Sequence, residues 1–352
     1  MAINNIKKIF KAEEYYEQII DDYKKKYDKK IIASPYYFIP PEINAAFNIV
    51  TLKIPEFMLS QSSRLDRLHS IFDAIVISDR ECFCNKDIKS NKNIKSIKHY
   101  IFRTPEGFGE DASVALHNEI SLMLNTLFSI EIKSINIESL QRETAVYENL
   151  RRSIRNISSM RAEKRVLSND ELALIFETAL TLPAELAIQY INPVLEEIKV
   201  SDAGHEDMQV RSLLYGRKNI PDHIADSIER IGISIVEDDL CTGRRLFDIS
   251  LNAESEYIFY ELLDAYSYRP LFPCLRAVNE RHELIYKLLR NYQIECVIFY
   301  KDKACHDLSR DIDYLRIKMM RDGIDPIVIG KDNYEGVVSK YMKKSVTFLC
   351  QL

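Results

Sequence analysis

The chain has 352 residues, of which 46% are hydrophobic and 29% charged, with a net charge of −5. This length predicts about two globular domains, and the mild acidity gives no electrostatic case for binding nucleic acid or an anionic membrane. No apolar run approaches the roughly 18 residues that a membrane span requires, and the polar N-terminus lacks an apolar signal core. We therefore expect a cytoplasmic protein whose seven cysteines are thiols, metal ligands or catalytic groups.

The first part of the chain alternates helical and strand patterns. Apolar residues recur at helical spacing over residues 1–30 and predict an N-terminal helix. Residues 31–110 contain short apolar runs separated by helical segments, which is typical of a parallel sheet. We predict strands in this first α/β domain at residues 31–33, 49–52, 74–77 and 100–102, with Asn48 in a left-handed turn before the second strand.

The rest of the chain repeats this plan after a long helical segment. Residues 111–206 have a nearly continuous helical pattern and predict a connecting segment. Alternation returns over residues 207–352, the second α/β domain, with strands predicted at 211–215, 233–236, 296–300 and 326–329. The predicted fold class is therefore α/β, with two parallel-sheet domains joined by helices. The chain has nine glycines and neither a GxGxxG nor a GxxxxGK(S/T) loop, so nucleotide binding by these devices is not expected.

A dense set of reactive and charged groups follows the predicted strand at 233–236. Residues 238–245 read Asp-Asp-Leu-Cys-Thr-Gly-Arg-Arg. The carboxyl ends of parallel strands are where α/β proteins place their sites, which favours a functional loop containing Cys241 and Arg244. A solvated loop with one incidental cysteine is the alternative interpretation.

Cysteines follow predicted strands elsewhere as well. Cys82 and Cys84 come after the strand at 74–77, and Cys305 comes after the strand at 296–300. Loops at the carboxyl ends of parallel strands converge, so these thiols are candidates to meet in space. Soft thiolates suit the iron of an iron–sulfur cluster, whereas the C-x-x-C pairs more typical of zinc do not occur in the sequence.

A third polar constellation follows the first predicted strand. It contains Ser34, Tyr37 and Glu42, with Pro41 in the first turn of a short helix. Two interpretations of Glu42 stay open. In one, the helix dipole simply stabilises a carboxylate at this position; in the other, the carboxylate binds a substrate hydroxyl or acts as a base.

Several segments, taken in order, resemble one family. They are residues 38–43 (Phe-Ile-Pro-Pro-Glu-Ile), 237–245, the pair Pro273-Cys274, 296–305 and 323–326 (Gly-Ile-Asp-Pro). Together they resemble the subunits of 2-hydroxyacyl-CoA dehydratases and benzoyl-CoA reductases, of the 2-hydroxyglutaryl-CoA dehydratase D-component type, from about residue 30 to about residue 335. The resemblance implies two flavodoxin-like domains with helical additions.

The resemblance also implies an enzyme subunit with an electron supply. Family members pair two homologous subunits, as homo- or heterodimers, and bind a 4Fe–4S cluster through three cysteines. An ATP-dependent iron–sulfur activator delivers one electron in anaerobic metabolism, and water then leaves a 2-hydroxyacyl-CoA through a ketyl radical. Two alternatives stay open: an activator-dependent reductase of an aryl-CoA or another small molecule, and a cluster-deficient partner subunit without catalytic activity.

Carried over position by position, the resemblance implies metal ligation by Cys305 and Cys82, with Cys84 as the alternative to Cys82. The family's earlier cysteine has no counterpart, because residues 60–63 read Ser-Gln-Ser-Ser. Either Cys82, Cys84 and Cys305 together bind the cluster, or the cluster is absent or altered.

The remaining candidates concern the acyl-CoA substrate. The resemblance implies that the region of Ser34 and Glu42 contacts substrate, and we assign catalytic roles to these two residues. Tyr37, Cys241 and Arg244 are the candidate substrate-binding residues.

Overall fold

The computed structural model describes residues 2–11, 13–34, 39–55, 58, 68–79, 97–105, 109–164, 166–201, 210–267, 278–301, 305–330 and 333–339. For residues 278–281, 306–307 and 325 it describes the backbone alone. The chain divides into two compact units. Unit 1 comprises Met1–Ser153, Glu177–Val194 and Ile249–Arg269, and unit 2 comprises Ile154–Phe176, Leu195–Asp248 and Pro270–Leu352. Each unit is thus assembled from three separate segments of the chain.

Helices and strands alternate along much of the chain. The described strands are β1 (Lys30–Ser34), β2 (Ile49–Lys53), β3 (Ala74–Ser78), β4 (His99–Phe102), β5 (Val210–Gly216), β6 (Ile233–Leu240), β7 (Cys296–Tyr300) and β8 (Asp325–Ile329). The described α-helices are α1 (Ile3–Lys11), α2 (Glu13–Tyr27), α3 (Pro41–Ala45), α4 (Leu68–Ile71), α5 (Glu110–Phe128), α6 (Ile137–Lys164), α7 (Asn169–Thr181), α8 (Ala184–Lys199), α9 (Asp222–Glu229), α10 (Ile258–Ser267), α11 (Val278–Asn291) and α12 (His306–Arg321).

Unit 1 contains a four-stranded parallel sheet in the order β2-β1-β3-β4. Strands β1, β2 and β3 are rich in isoleucine and valine and are buried along almost their whole length, as expected of parallel strands that are covered on both faces. Asn48, with φ of 59°, turns the chain from α3 into β2, which confirms the left-handed turn predicted there.

Unit 2 contains a second four-stranded parallel sheet, in the order β6-β5-β7-β8. Successive residues of β5 enter different apolar clusters: Leu213 and Tyr215 belong to one, and Leu214 belongs to the other. Since side chains of a strand alternate between its two faces, this pattern shows apolar packing on both sides of the sheet. Gly323, with φ of 79°, follows α12 in the left-handed conformation that commonly ends a helix.

The predicted fold class is confirmed, since both units are built on parallel sheets with helices between the strands. The predicted N-terminal helix is helical at Ile3–Lys11 and at Glu13–Tyr27, and one other detail of the prediction differs. The prediction that residues 238–240 belong to a loop is wrong, because β6 continues to Leu240. The predicted domain bounds stay a prediction. Among the described helices, none combines the length and the apolar character needed to cross a bilayer.

Both sheets share a strand order with a functional consequence. In unit 1, β2 lies on one side of β1 and β3 lies on the other; in unit 2, β6 and β7 flank β5 in the same way. Where the chain reverses direction across a parallel sheet, the carboxyl ends of the two neighbouring strands open a crevice, and ligands of α/β proteins bind there. Ser34 ends β1 at one such point, and Gly216 ends β5 at the other.

Candidate functional site

The carboxyl end of β1 is buried and carries polar groups. Ser34 is fully buried, and its carbonyl oxygen accepts a hydrogen bond from the amide of Ile54 at 3.0 Å. In the sheet Ser34 lies opposite Lys53 of β2, whose ammonium group is 2.6 Å from a carboxylate oxygen of Glu177. The edge of the sheet therefore carries a hydroxyl and a buried ion pair side by side.

Glu42 lies in the connection that follows β1 and is fully buried. It occupies the first turn of α3, directly after Pro41, as the sequence predicts. Arg151 of α6 donates a hydrogen bond from Nη1 to Oε1 of Glu42, and the hydroxyl of Tyr266 donates to Oε2 at 3.4 Å. Both carboxylate oxygens of Glu42 therefore have protein donors, in addition to any effect of the helix dipole.

Arg151 is the centre of this cluster. Its side chain is 5% exposed, and its Nε donates to Oε2 of Glu148 at 3.2 Å. Burial lowers the pKa of the Arg151 guanidinium, but the negative charge of Glu42 and the other neighbouring groups outweighs this effect and raises the pKa overall. Arg151 is therefore a permanently charged donor inside unit 1.

The sequence interpretation missed Arg151 and Tyr266. For Arg151 the sequence contains a local signal. The buried face of α6 carries Leu140, Tyr147 and Ile154, and Arg151 lies within this face at helical spacing. A charge inside an apolar stripe indicates a buried partner. The partner itself, Glu42, lies 109 positions away in sequence, so no periodicity identifies it.

At the carboxyl end of β6, three consecutive carboxylates are buried: Glu237, Asp238 and Asp239. Glu237 accepts a hydrogen bond from Arg244 Nη1 at 2.6 Å, and the guanidinium of Arg244 lies 5.0 Å from the centre of the Tyr292 ring. Burial, together with the charge of Asp238, raises the pKa of Glu237 to about 7, although the positive charge of Arg244 opposes this shift.

Asp238 closes the turn that follows the strand. Its Oδ1 accepts hydrogen bonds from the backbone amides of Leu240 at 3.3 Å and Arg244 at 3.1 Å. A Cβ atom at Gly243 would lie 1.9 Å from this oxygen, so only glycine fits. Asp239 pairs with Arg245, whose Nε is 2.7 Å from Oδ1. The charges of residues 237–245 are thus largely satisfied within the segment, which explains how β6 continues to Leu240.

Cys241 is buried directly after β6. Its amide donates to the carbonyl oxygens of Gly216 at 3.3 Å and Arg217 at 3.1 Å, so its backbone is bound to the end of β5. Cys305 is partly exposed and lies between β7 and α12, at the N-cap of the helix. Both cysteines are therefore at the carboxyl edge of the unit 2 sheet, as the sequence predicts for the ends of their strands.

A buried hydrogen-bonded network lies close to α12 and β5. The hydroxyl of Tyr215 donates to Oδ2 of Asp311, and Nε2 of His282 lies 3.1 Å from Oδ1 of the same carboxylate. The His282 ring stacks on Tyr314 with 5.2 Å between ring centres. The network connects α11 and α12 to β5, and no local sequence pattern indicates it.

The predicted site residues fall into three groups. Ser34 and Glu42 lie in unit 1; Cys241, Arg244 and Cys305 lie in unit 2. Tyr37, Cys82 and Cys84 lie outside the described residues, as do residues 60–63.

In the part of the chain that the structure describes, no three His, Cys, Asp or Glu side chains are grouped as a metal site requires. Of the three predicted thiolate ligands, only Cys305 is described, and a single thiolate does not fit a cluster that needs several. The described residues therefore do not by themselves make a cluster site.

The protein is therefore an α/β protein of two units. Each unit has a flavodoxin-like strand order and buried polar residues at the carboxyl edge of its sheet. The family model described as "2-hydroxyglutaryl-CoA dehydratase, D-component" matches residues 56–344, and the chain belongs to this family. The resemblance drawn from the sequence is thereby confirmed. Membership implies a subunit of a 2-hydroxyacyl-CoA dehydratase-type complex, in a family that is generally associated with iron–sulfur clusters.

Comparison with other proteins adds little to this assignment. No curated protein matches the sequence. Similar solved structures include Mn-bound and Cd-bound forms of a periplasmic metal-binding protein from Candidatus Liberibacter asiaticus. They share 12% and 11% sequence identity with this chain and superpose with a TM-score of 0.24. Each alignment covers 91% of this chain and 100% of the other chain. Similarity at this level carries no argument about the present protein.

Proposed function

We propose that the chain is a subunit of an iron–sulfur 2-hydroxyacyl-CoA dehydratase. Water would leave a 2-hydroxyacyl-CoA through a ketyl radical, after an ATP-dependent iron–sulfur activator has delivered one electron. A homologous subunit, either a second copy or a related chain, would complete the dimer. The observation that carries this proposal is the family match over residues 56–344.

Two features of unit 1 support a substrate role for Ser34 and Glu42. Ser34 ends β1 at the point where the chain reverses across the sheet, and Glu42 lies in the connection that follows. Both are fully buried polar groups close to this point of the sheet. We propose that Glu42 and Ser34 act on the substrate hydroxyl and its neighbouring carbon, and that Tyr37 contributes to binding.

In unit 2, the proposal retains Cys241 and Arg244 as substrate-binding residues and Cys305 as a metal ligand. The partly exposed position of Cys305 after β7 supports ligation, because a buried thiol in an apolar setting is inert. Cys82 and Cys84 would supply the other thiolates. When bound, the cluster would supply iron that assists departure of the hydroxyl group.

Anaerobic iron and sulfide analysis of the full chain, purified with any subunit that accompanies it, tests the cluster. About four irons per chain are expected for a 4Fe–4S cluster. Cys305→Ser should lose most of the iron, whereas the matched variant Cys296→Ala, at a buried position within β7, should retain it. A full iron content in Cys305→Ser would show that the assigned ligand is wrong.

One sequence feature favours a second candidate function. Residues 60–63 lack the family's cysteine, as a cluster-deficient partner subunit would. An iron-free, colourless protein from cells with intact cluster assembly would establish this alternative. If iron is present, activator-dependent turnover of 2-hydroxybutyryl-CoA is expected; turnover of benzoyl-CoA instead would identify a reductase of the same family.

A further inference from the structure

Arg151 has one hydrogen-bonding group that the Glu42 cluster leaves unused. Its Nη1 donates to Glu42 and its Nε donates to Glu148. Its Nη2 is buried, and no residue in the described part of the chain accepts a hydrogen bond from it. A buried donor without an acceptor costs about 1–3 kcal/mol. The unpaired Nη2 of Arg151 therefore points to a ligand that accepts its hydrogen bond.

The charge around Arg151 restricts what that ligand can be. One guanidinium is flanked by two carboxylates, Glu42 and Glu148, both within hydrogen-bonding distance of it. The three groups together already carry a net negative charge when ionised. A phosphate or a free carboxylate at Nη2 would add repulsion from both neighbours inside a site that is screened from water. A neutral oxygen fits the electrostatics better than an anion.

The donor and acceptor chemistry selects among neutral oxygens. A guanidinium only donates hydrogen bonds, and a carbonyl oxygen only accepts them. A hydroxyl also donates, and so it is matched by a carboxylate acceptor such as Glu42. We propose that Arg151 is a substrate-binding residue whose Nη2 donates to the thioester carbonyl oxygen of the acyl-CoA. This inference rests on the proposed function and adds a specificity contact to it.

The contact has a position that suits this role. Through its ion pair with Glu42, Arg151 is fixed to the connection that follows β1, next to the point where ligands of such sheets bind. Two bonds to carboxylates hold the planar guanidinium in one orientation, so Nη2 is pre-organised before substrate arrives. A lysine would keep the charge and lose this geometry.

Binding of two ligands that differ only in the carbonyl tests the proposal. 2-Hydroxybutyryl-CoA carries the thioester carbonyl, and its thioether analogue S-(2-hydroxybutyl)-CoA lacks it. Calorimetric titration of the full chain, together with any subunit that accompanies it, should show about tenfold to hundredfold tighter binding of the thioester, as for a hydrogen bond to a charged group. Arg151→Lys should reduce this preference to about threefold or less. Arg152→Lys, at an exposed position on the same helix, should leave it unchanged.

The outcomes separate this inference from the proposed function. Equal binding of both ligands by the unaltered protein, or an unchanged preference in folded Arg151→Lys, overturns the role of Arg151 and leaves the proposed function standing. Failure to bind either ligand overturns the proposed function and this inference with it. Because the comparison within the unaltered protein needs no variant, the proposal is testable even if Arg151→Lys does not fold.

Discussion

Gly243→Ala should destabilise unit 2 through a single steric conflict. The added Cβ would lie 1.9 Å from Oδ1 of Asp238 and 3.0 Å from Cβ of Leu240. The carboxylate must therefore move by more than 1 Å, roughly, to reach an ordinary contact distance of about 3.4 Å or more. It would then lose its hydrogen bonds to two backbone amides while remaining 4% exposed. Each such bond to a charged group is worth about 1.5–3 kcal/mol, so we expect a loss of at least about 3 kcal/mol.

Thermal melting followed by circular dichroism measures this loss. For a unit of this size, 3 kcal/mol lowers the melting temperature by about 6–12 °C. Gly336→Ala is the matched control, because a Cβ there meets no atom within 4 Å. The loss of stability should also require the Asp238 side chain. In an Asp238→Ala background, Gly243→Ala should cost less than half as much stability. A melting temperature within 2 °C, roughly, of the unaltered protein would refute the reasoning.

Three further changes probe other buried polar groups. Glu237→Gln should flatten the pH dependence of stability. The pKa of Glu237 is raised from 4.5 to about 7 in the folded protein. Its contribution to the free energy of unfolding is therefore present below pH 4.5 and is lost as the pH rises through 7. Tyr215→Phe should cost about 1.5–3 kcal/mol, because the carboxylate of Asp311 loses a buried donor. Lys53→Met should cost about 2–4 kcal/mol by leaving Glu177 without its cation, and Glu177→Leu in the same chain should recover at least half of this.

Exposed counterparts serve as controls for these three changes. Melting curves from pH 4.5 to pH 7.5 should be the same for Glu196→Gln as for the unaltered protein, since Glu196 lies in an exposed pair. Tyr314→Phe and Lys25→Met should each change stability by less than about 0.5 kcal/mol. If a buried variant melts together with its exposed control, the contact assigned to it contributes nothing measurable.

Local chemistry made the strands and several turns predictable. Short apolar runs form the buried strands of both sheets, and Asn48 has the left-handed conformation predicted before the second strand. These features depend on residues that are near one another in sequence. The order of strands in each sheet follows from the family resemblance rather than from any local pattern.

Pairings between side chains account for what sequence reasoning missed. Residues 238–240 were interpreted as a loop that follows the strand at 233–236, yet β6 continues to Leu240, and Arg244 and Arg245 neutralise Glu237 and Asp239. The pairing of Arg151 with Glu42 joins positions far apart along the chain. Burial of a charge becomes favourable only when its partner is in place, and the partner is chosen by the fold.

The separation between Glu42 and Tyr266 also matters for how the protein is made. These residues share a buried hydrogen bond across 224 positions, and the last segment of unit 1 is Ile249–Arg269. At about 5–20 residues per second, a ribosome needs roughly 10–45 s to travel from one to the other. Throughout that time the nascent chain carries a carboxylate destined for the interior without all its donors. Unit 1 therefore completes late in synthesis, although its first residues emerge first.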